Sequence, residues 1–206
     1  MMQPRQTLAP LALAVLLVTG CAKPPTEQIE AAEKAVKEAQ QSGAATYNAE
    51  EYAKLEGTLA ALKKEVGDQD GKFALFRDYG KAEQLAASAT ADGERVKTEA
   101  VKKKEEAKTA ALQAQQVAQE AVNATLDLVA RAPVGKDRAA LEAIKNDAEA
   151  LKGLLNQVQS ALDKEDYPAA QTQAKAIHEK SQAVSTEIQQ ALAKVGKGKP
   201  SAPKKK

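Results

Sequence analysis

Tryptophan is absent from this chain of 206 residues, cysteine and histidine occur once each, and the aromatic complement is four Tyr and two Phe. A single thiol excludes an internal disulfide. A single imidazole, His178, excludes a multi-histidine metal centre, and we expect neither a metal nor another cofactor. So few aromatics cannot interleave with cations to stack bases, and no nucleic-acid-binding motif is present, so no nucleic-acid partner is expected. The longest apolar run, Leu8 to Val18, is interrupted by Pro10 and falls short of the roughly 20 residues that a spanning helix needs.

Alanine is abundant instead: 41 of the 186 residues from Cys21 onward. Its helix propensity is the highest of any residue and its side chain is a single methyl, so the composition favours long helices in close contact over a thick core. Charge is segregated. The segment 196–206, GKGKPSAPKKK, holds five Lys and no acid, which leaves 24 basic and 28 acidic residues in 21–195.

The first 20 residues have a short cationic start at Arg5, the apolar run, and small residues leading to Cys21, which is the pattern of a secretory signal peptide. An ordinary signal followed by an incidental Cys would account for this. Val18-Thr19-Gly20-Cys21, however, resembles the lipobox of bacterial lipoproteins. The resemblance implies cleavage between Gly20 and Cys21, diacylglycerol on the Cys21 sulfur, and an acylated new amino terminus. Such multiple acylation anchors a protein stably to a membrane. Ala22, where Asp would signal inner-membrane retention, implies the outer membrane with the body facing the periplasm. Residues 21–25 end in Lys23-Pro24-Pro25, a stiff spacer.

Heptad-like spacing predicts helices over the rest of the chain. The first starts at Thr26 and ends near Gly43. The second follows the capping-box pattern Asn48-Ala49-Glu50-Glu51, and its stripe of Tyr52, Leu55, Leu59, Leu62, Val66, Gln69, Phe73 and Phe76 keeps phase through Gly67 and Gly71. That phase predicts one helix over 49–76 with a weak place near Gly67; a loop at 67–71 is the alternative. A third helix spans about 80–131 on a strict four-three alternation from Ala82 to Leu128, with Lys103 its one polar member. Pro133-Val134-Gly135 ends it, and two further helices follow, separated by Lys164-Glu165-Asp166-Tyr167.

The second stripe shifted by 89 residues lands on the fourth, and Asp78-Tyr79 shifted by 88 lands on Asp166-Tyr167. The simplest account is a helical triple used twice and fused: an all-α fold, an elongated antiparallel arrangement of two three-helix bundles sharing one long central helix, with a first bundle over 26–110 and a second over 111–195. Chance self-matching of an Ala-rich heptad pattern is the competing account. Tyr47, Tyr52, Phe73, Phe76, Tyr79 and Tyr167 fall near the turns, where corner packing is their expected role.

Little here can trade protons or attack a substrate. Cys21 is taken by lipid, His178 stands alone beside Ile177, and the acidic pairs lie beside Lys on helical faces, so no enzyme is expected. From Cys21 to about residue 110 the chain resembles the Ala-rich helical domains that follow lipoboxes in bacterial envelope lipoproteins, often ahead of an OmpA-type domain. QSGAATYNAEEYAKLEGTLAAL and DYGKAEQLAASA carry that resemblance, and no OmpA-like signature follows residue 131. The layout also resembles murein lipoprotein, with a lipidated Cys, heptad helices and a terminal Lys; this implies peptidoglycan contact through Lys204, Lys205 and Lys206 of the tail. A disordered, solubilising tail over 196–206 is the plainer reading of its composition.

The expectation is therefore a lipid-anchored structural lipoprotein in contact with the membrane through Cys21, with peptidoglycan or envelope proteins as partners and self-association open. A helical protein-binding or chaperone-like module is the alternative.

Overall fold

The computed structural model describes residues 23–132 and 138–196, and all regular structure among them is helical. The helices are α1 (Thr26–Gln41), the single turn α2 (Ala44–Tyr47), α3 (Ala49–Asp70), α4 (Gly80–Arg131), α5 (Arg138–Asp163) and α6 (Tyr167–Gly196), with a short 3₁₀ turn at Ala74–Phe76. The all-α class expected from the composition is the one observed.

Two compact units divide this chain. The first holds the residues up to Lys37 together with Ala53–Gly93; the second holds Glu38–Tyr52 and everything from Glu94 onward. The division on α4 falls at Gly93/Glu94.

In the first unit Ala32, Ala35 and Val36 of α1, Leu55 and Leu62 of α3, and Ala82, Ala86 and Ala89 of α4 are buried. α1 and α4 approach closely at Gly93: a Cβ built there would stand 2.7 Å from the Ala35 Cβ and 3.0 Å from its backbone carbon. α1 ends where Gly43 turns left-handed at φ 86°, a conformation with little steric cost only for glycine.

The second unit gathers Ala111, Ala118 and Val122 of α4, Leu151, Leu155, Val158 and Leu162 of α5, and Tyr167, Ala170, Ala174 and Ile177 of α6 into one core. Thr125 is also buried there, its hydroxyl within 3.1 Å of the Ser181 carbonyl and 2.8 Å of the Ser185 hydroxyl.

Three expectations need correction. First, α3 stops at Asp70 and does not run to residue 76, while Gly67 lies inside the helix. The Lys64–Asp68 pair at 2.6 Å and the Gln69–Glu65 bond at 2.7 Å brace the turn around Gly67. The turn that follows is held locally: the Arg77 guanidinium folds back and donates to the carbonyls of Asp70 at 2.8 Å and Lys72 at 3.0 Å, satisfying groups that a helix end leaves open.

Second, Phe73 and Phe76 do not pack at a corner. They are exposed, whereas Tyr52, Tyr79 and Tyr167 are buried. Third, the buried line of α4 does not hold a strict heptad. It follows Ala82, Ala86, Ala89, Gly93, Val96 and Ala100, then Ala111, Ala118, Val122 and Thr125, leaving the expected member Val117 exposed. Twelve turns carry the line across the 43 residues from Ala82 to Thr125, close to 3.6 residues per turn. An α-helix that is not supercoiled has that pitch, and a 3.5 repeat drifts off its face by about 20° per heptad.

Burial repeats with the sequence shift of 88. Ala82, Ala86, Ala89, Gly93 and Ala100 are buried, and so are Ala170, Ala174, Ile177, Ser181 and Ile188. The Asp-Tyr pair opens a helix each time with different bonds: Asp166 Oδ1 accepts from the Ala169 amide at 3.2 Å, three residues on, as an N-cap does, whereas Asp78 Oδ1 accepts from the Gly80 amide at 2.9 Å, two residues on, and the following Tyr is buried in both. Asp166→Ala should lower stability by about 1 kcal/mol in chemical denaturation. A near-zero value would mean that this carboxylate does not cap.

Candidate functional site

The cleavage and lipidation positions Gly20 and Cys21, and the tail residues Lys204, Lys205 and Lys206, lie outside the described residues. The structure does describe the neck that leads from Cys21 into the fold, and the end of the first unit to which it attaches.

Lys23, Pro24 and Pro25 precede α1 without helical structure, and the chain enters the helix through Thr26 N donating to Pro24 O at 2.9 Å and Ile29 N to Pro25 O at 3.0 Å. Proline suits this position because the first helical turn has no use for its missing N–H. α1 and α3 run antiparallel, paired by Glu33 and Lys63 at 2.8 Å, and α3 and α4 are paired by Glu65 and Lys81 at 2.7 Å. Seven residues on from Lys63 is Asp70, and seven back from Glu33 is Thr26. The α3–α4 turn therefore lies at the same end of the unit as Thr26.

That turn is held from within. Gln69 is buried, and its amide links both sides: Oε1 accepts from the Asp78 amide at 3.0 Å and from Lys72 Nζ at 2.9 Å, while Nε2 donates to Glu65. The Tyr79 hydroxyl donates to Asp70, and Arg77 clasps the carbonyls already described. Outward from this frame stand Phe73, Leu75 and Phe76, exposed to 70%, 69% and 74%. The two rings are 6.4 Å apart and tilted by 50°. Periodicity missed this feature because both Phe residues fall in phase with the α3 stripe; the available signal was their position after Gly71, between Lys72 and Arg77.

In the second unit a polar cluster joins α2, α4 and the α5–α6 turn. Asn48 is buried, donating to Glu99 at 3.0 Å and accepting from Lys103 Nζ at 2.6 Å, which accounts for the lysine at a stripe position of α4. The Tyr47 hydroxyl donates to the Glu165 carbonyl at 2.8 Å, its ring lies 6.5 Å from that of Tyr167, and Lys104 pairs with the Glu165 carboxylate at 2.6 Å. Glu165 holds φ 58° in that turn, the left-handed region that non-glycine residues seldom adopt. Bonds of this kind fix a turn, and every cation in the cluster already has an acceptor.

His178 borders a groove between α4 and α6 lined by Ala110, Ala114, Val117, Gln171 and Lys175. Its Nε2 lies 2.9 Å from Gln182 Nε2, and its Nδ1 is buried without a partner. Among the described residues no three His, Cys, Asp or Glu side chains are grouped to hold a metal.

Where charge states are displaced, they move away from neutral pH. The Lys81 ammonium, with Gln69, holds the Glu65 carboxyl below its ordinary range, and Lys104 does the same to Glu165. Hydrogen bonds to Asp68, Glu38 and Glu165 raise Lys64, Lys97 and Lys104. The hydrogen bond to Asp70 raises Tyr79, and burial raises Tyr47. These are the shifts of structural ion pairs, opposite in sense to the tuning of an acid or base toward its working pH.

Glu65 therefore carries a pH prediction. A carboxyl whose folded pKa is depressed adds stability above its unfolded pKa and loses it as pH falls through the folded value. Acidification from neutrality to about pH 3 should cost the wild type more than Glu65→Gln in thermal melts. Parallel curves for the two proteins would show that the Lys81 contact contributes nothing.

No family model, no curated protein and no solved structure matches this chain. Function is therefore argued from the residues alone.

Proposed function

We propose that this protein is a structural lipoprotein of a bacterial envelope. The segment 1–20 is removed as a signal peptide, Cys21 is acylated and held in the outer membrane, and the helical body faces the periplasm as a spacer or scaffold. The basic segment 196–206 contacts peptidoglycan. One observation carries the reading: Val18-Thr19-Gly20-Cys21 closes the chain's longest apolar run, and a helical fold begins only five residues later at Thr26. Two further facts support it. No described helix is long and apolar enough to cross a membrane. The described body offers caps, ion pairs and close-packed alanines, with no grouped chemistry for turnover.

Metabolic labelling with a clickable palmitate analogue tests the anchor. The wild type should take up label, Cys21→Ser should lose essentially all of it, and label that survives the substitution would sink the proposal. For the tail, deletion of 196–206 should abolish co-sedimentation with purified peptidoglycan; unchanged pelleting removes that part of the reading and leaves the anchor standing.

A second reading rests on the exposed apolar side chains Val101, Leu112 and Val117 of α4, which suit an envelope protein or a second copy of the chain as partner. It predicts crosslinks from Val117 that do not depend on residues 196–206.

A further inference from the structure

We propose that the α3–α4 turn is a membrane-inserting wedge, in which Phe73, Leu75 and Phe76 enter the boundary between headgroups and acyl chains of the bilayer that holds Cys21. The inference rests on the lipid anchor proposed above and adds a second, protein-borne contact beside it.

Four observations converge. The first is exposure. Three large apolar side chains stand 69% to 74% exposed within four residues, in a chain whose other four aromatic residues, all Tyr, are buried or hydrogen-bonded. Leaving them in water forgoes the favourable free energy that burial of each such side chain would bring.

The second is rigidity. Arg77 bonds the carbonyls of Asp70 and Lys72, Gln69 bonds the Asp78 amide and Lys72, and Tyr79 bonds Asp70, so the backbone behind the tip is tied at both ends. A pre-ordered tip loses little conformational freedom when it inserts.

The third is charge. Lys72 and Arg77 flank the apolar trio; Lys72 donates to an amide oxygen and its charge also acts on the Glu65 carboxylate, while the Arg77 guanidinium is held by backbone carbonyls, which leaves its positive charge available to anionic headgroups. Lysine and arginine beside apolar residues are the usual composition of segments that lie in the membrane interface.

The fourth is reach. Thr26 is five residues on from Cys21, and at about 3.3–3.6 Å per residue the chain spans at most ~18 Å, so an acylated Cys21 holds the start of α1 close to the bilayer. The ion pairs Glu33–Lys63 and Glu65–Lys81 place the turn at that same end of the first unit. The tether thus presents the wedge to the surface at high effective concentration, and a weak intrinsic affinity suffices.

Because the chain has no tryptophan, Phe76→Trp supplies a sole fluorescent reporter at a site 74% exposed, where the fold does not depend on it. The acylated full-length protein is reconstituted in vesicles of equal parts phosphatidylethanolamine and phosphatidylglycerol, with and without bromine on the acyl chains. The expected result is a blue-shifted emission that brominated chains quench, and loss of both in Phe76→Trp combined with Phe73→Asp and Leu75→Asp. Circular dichroism should be unchanged, since all three sites are exposed.

Acylated protein whose emission stays at the position of water-exposed indole overturns the wedge and leaves the anchor intact. A blue shift without bromine quenching places the tip against protein and overturns it too. Quenching that survives the two Asp substitutions does the same. Absence of acylation at Cys21 overturns anchor and wedge together.

Discussion

Gly93→Leu is expected to destabilise the protein by about 3 kcal/mol or more, at the severe end of overpacked sites. Position 93 has no room for a side chain: even a Cβ there would be 2.7 Å from the Ala35 Cβ, 3.0 Å from its carbonyl carbon and 3.2 Å from its carbonyl oxygen. Two of those three atoms belong to backbone, which cannot swing aside. The more demanding comparison is Gly93→Ala against Gly67→Ala. Helix propensity favours both by roughly 1 kcal/mol. At Gly67 nothing lies within 4 Å of the added methyl, so that gain should be realised and the melting temperature should rise. At Gly93 the clash outweighs it, and the melting temperature should fall. Equal stabilisation by both would disprove the close approach of α1 and α4.

Leu62→Ala should cost about 2–5 kcal/mol, the range for deleting a fully buried leucine, whereas Phe76→Ala should fall within about 0.5 kcal/mol of zero. By spacing, both residues belong to one apolar stripe; by position, Leu62 is 0% exposed and Phe76 is 74% exposed. Urea denaturation of the two variants measures the difference directly. A large loss from Phe76→Ala would mean that its ring is covered, which would also remove the basis for the wedge.

The contrast between these two residues shows what sequence alone could deliver. The helical class, the long α4, and the Asp78-Tyr79 and Asp166-Tyr167 turns were legible because each follows from local rules: alanine content, apolar spacing, and an acid ahead of a helix start. The end of α3 was not legible: in the turn that follows, Arg77 reaches back to a carbonyl seven residues earlier, an interaction that periodicity does not carry. The second half of α4 was misread for a different reason. Heptad counting assumes supercoiled helices, and the accumulated difference from 3.6 residues per turn moved the buried line from Val117 to Ala118.

Lys103 was visible as an anomaly in its stripe, and only the structure supplied its partner, Asn48. Of the proposed site, the lipobox was read entirely from sequence. The apolar tip beside the neck was hidden, since exposure of Phe73 and Phe76 depends on where the helix stops.

Of the 28 buried apolar residues described, 14 are Ala. A methyl group brings little apolar surface into water when the chain unfolds, and that surface is the source of the heat capacity of unfolding, ordinarily about 12–15 cal/mol/K per residue. With a smaller heat-capacity change the curve of stability against temperature flattens. A body packed on methyl groups therefore keeps a more even stability from cold to warm surroundings than a domain of equal length built on leucine and phenylalanine.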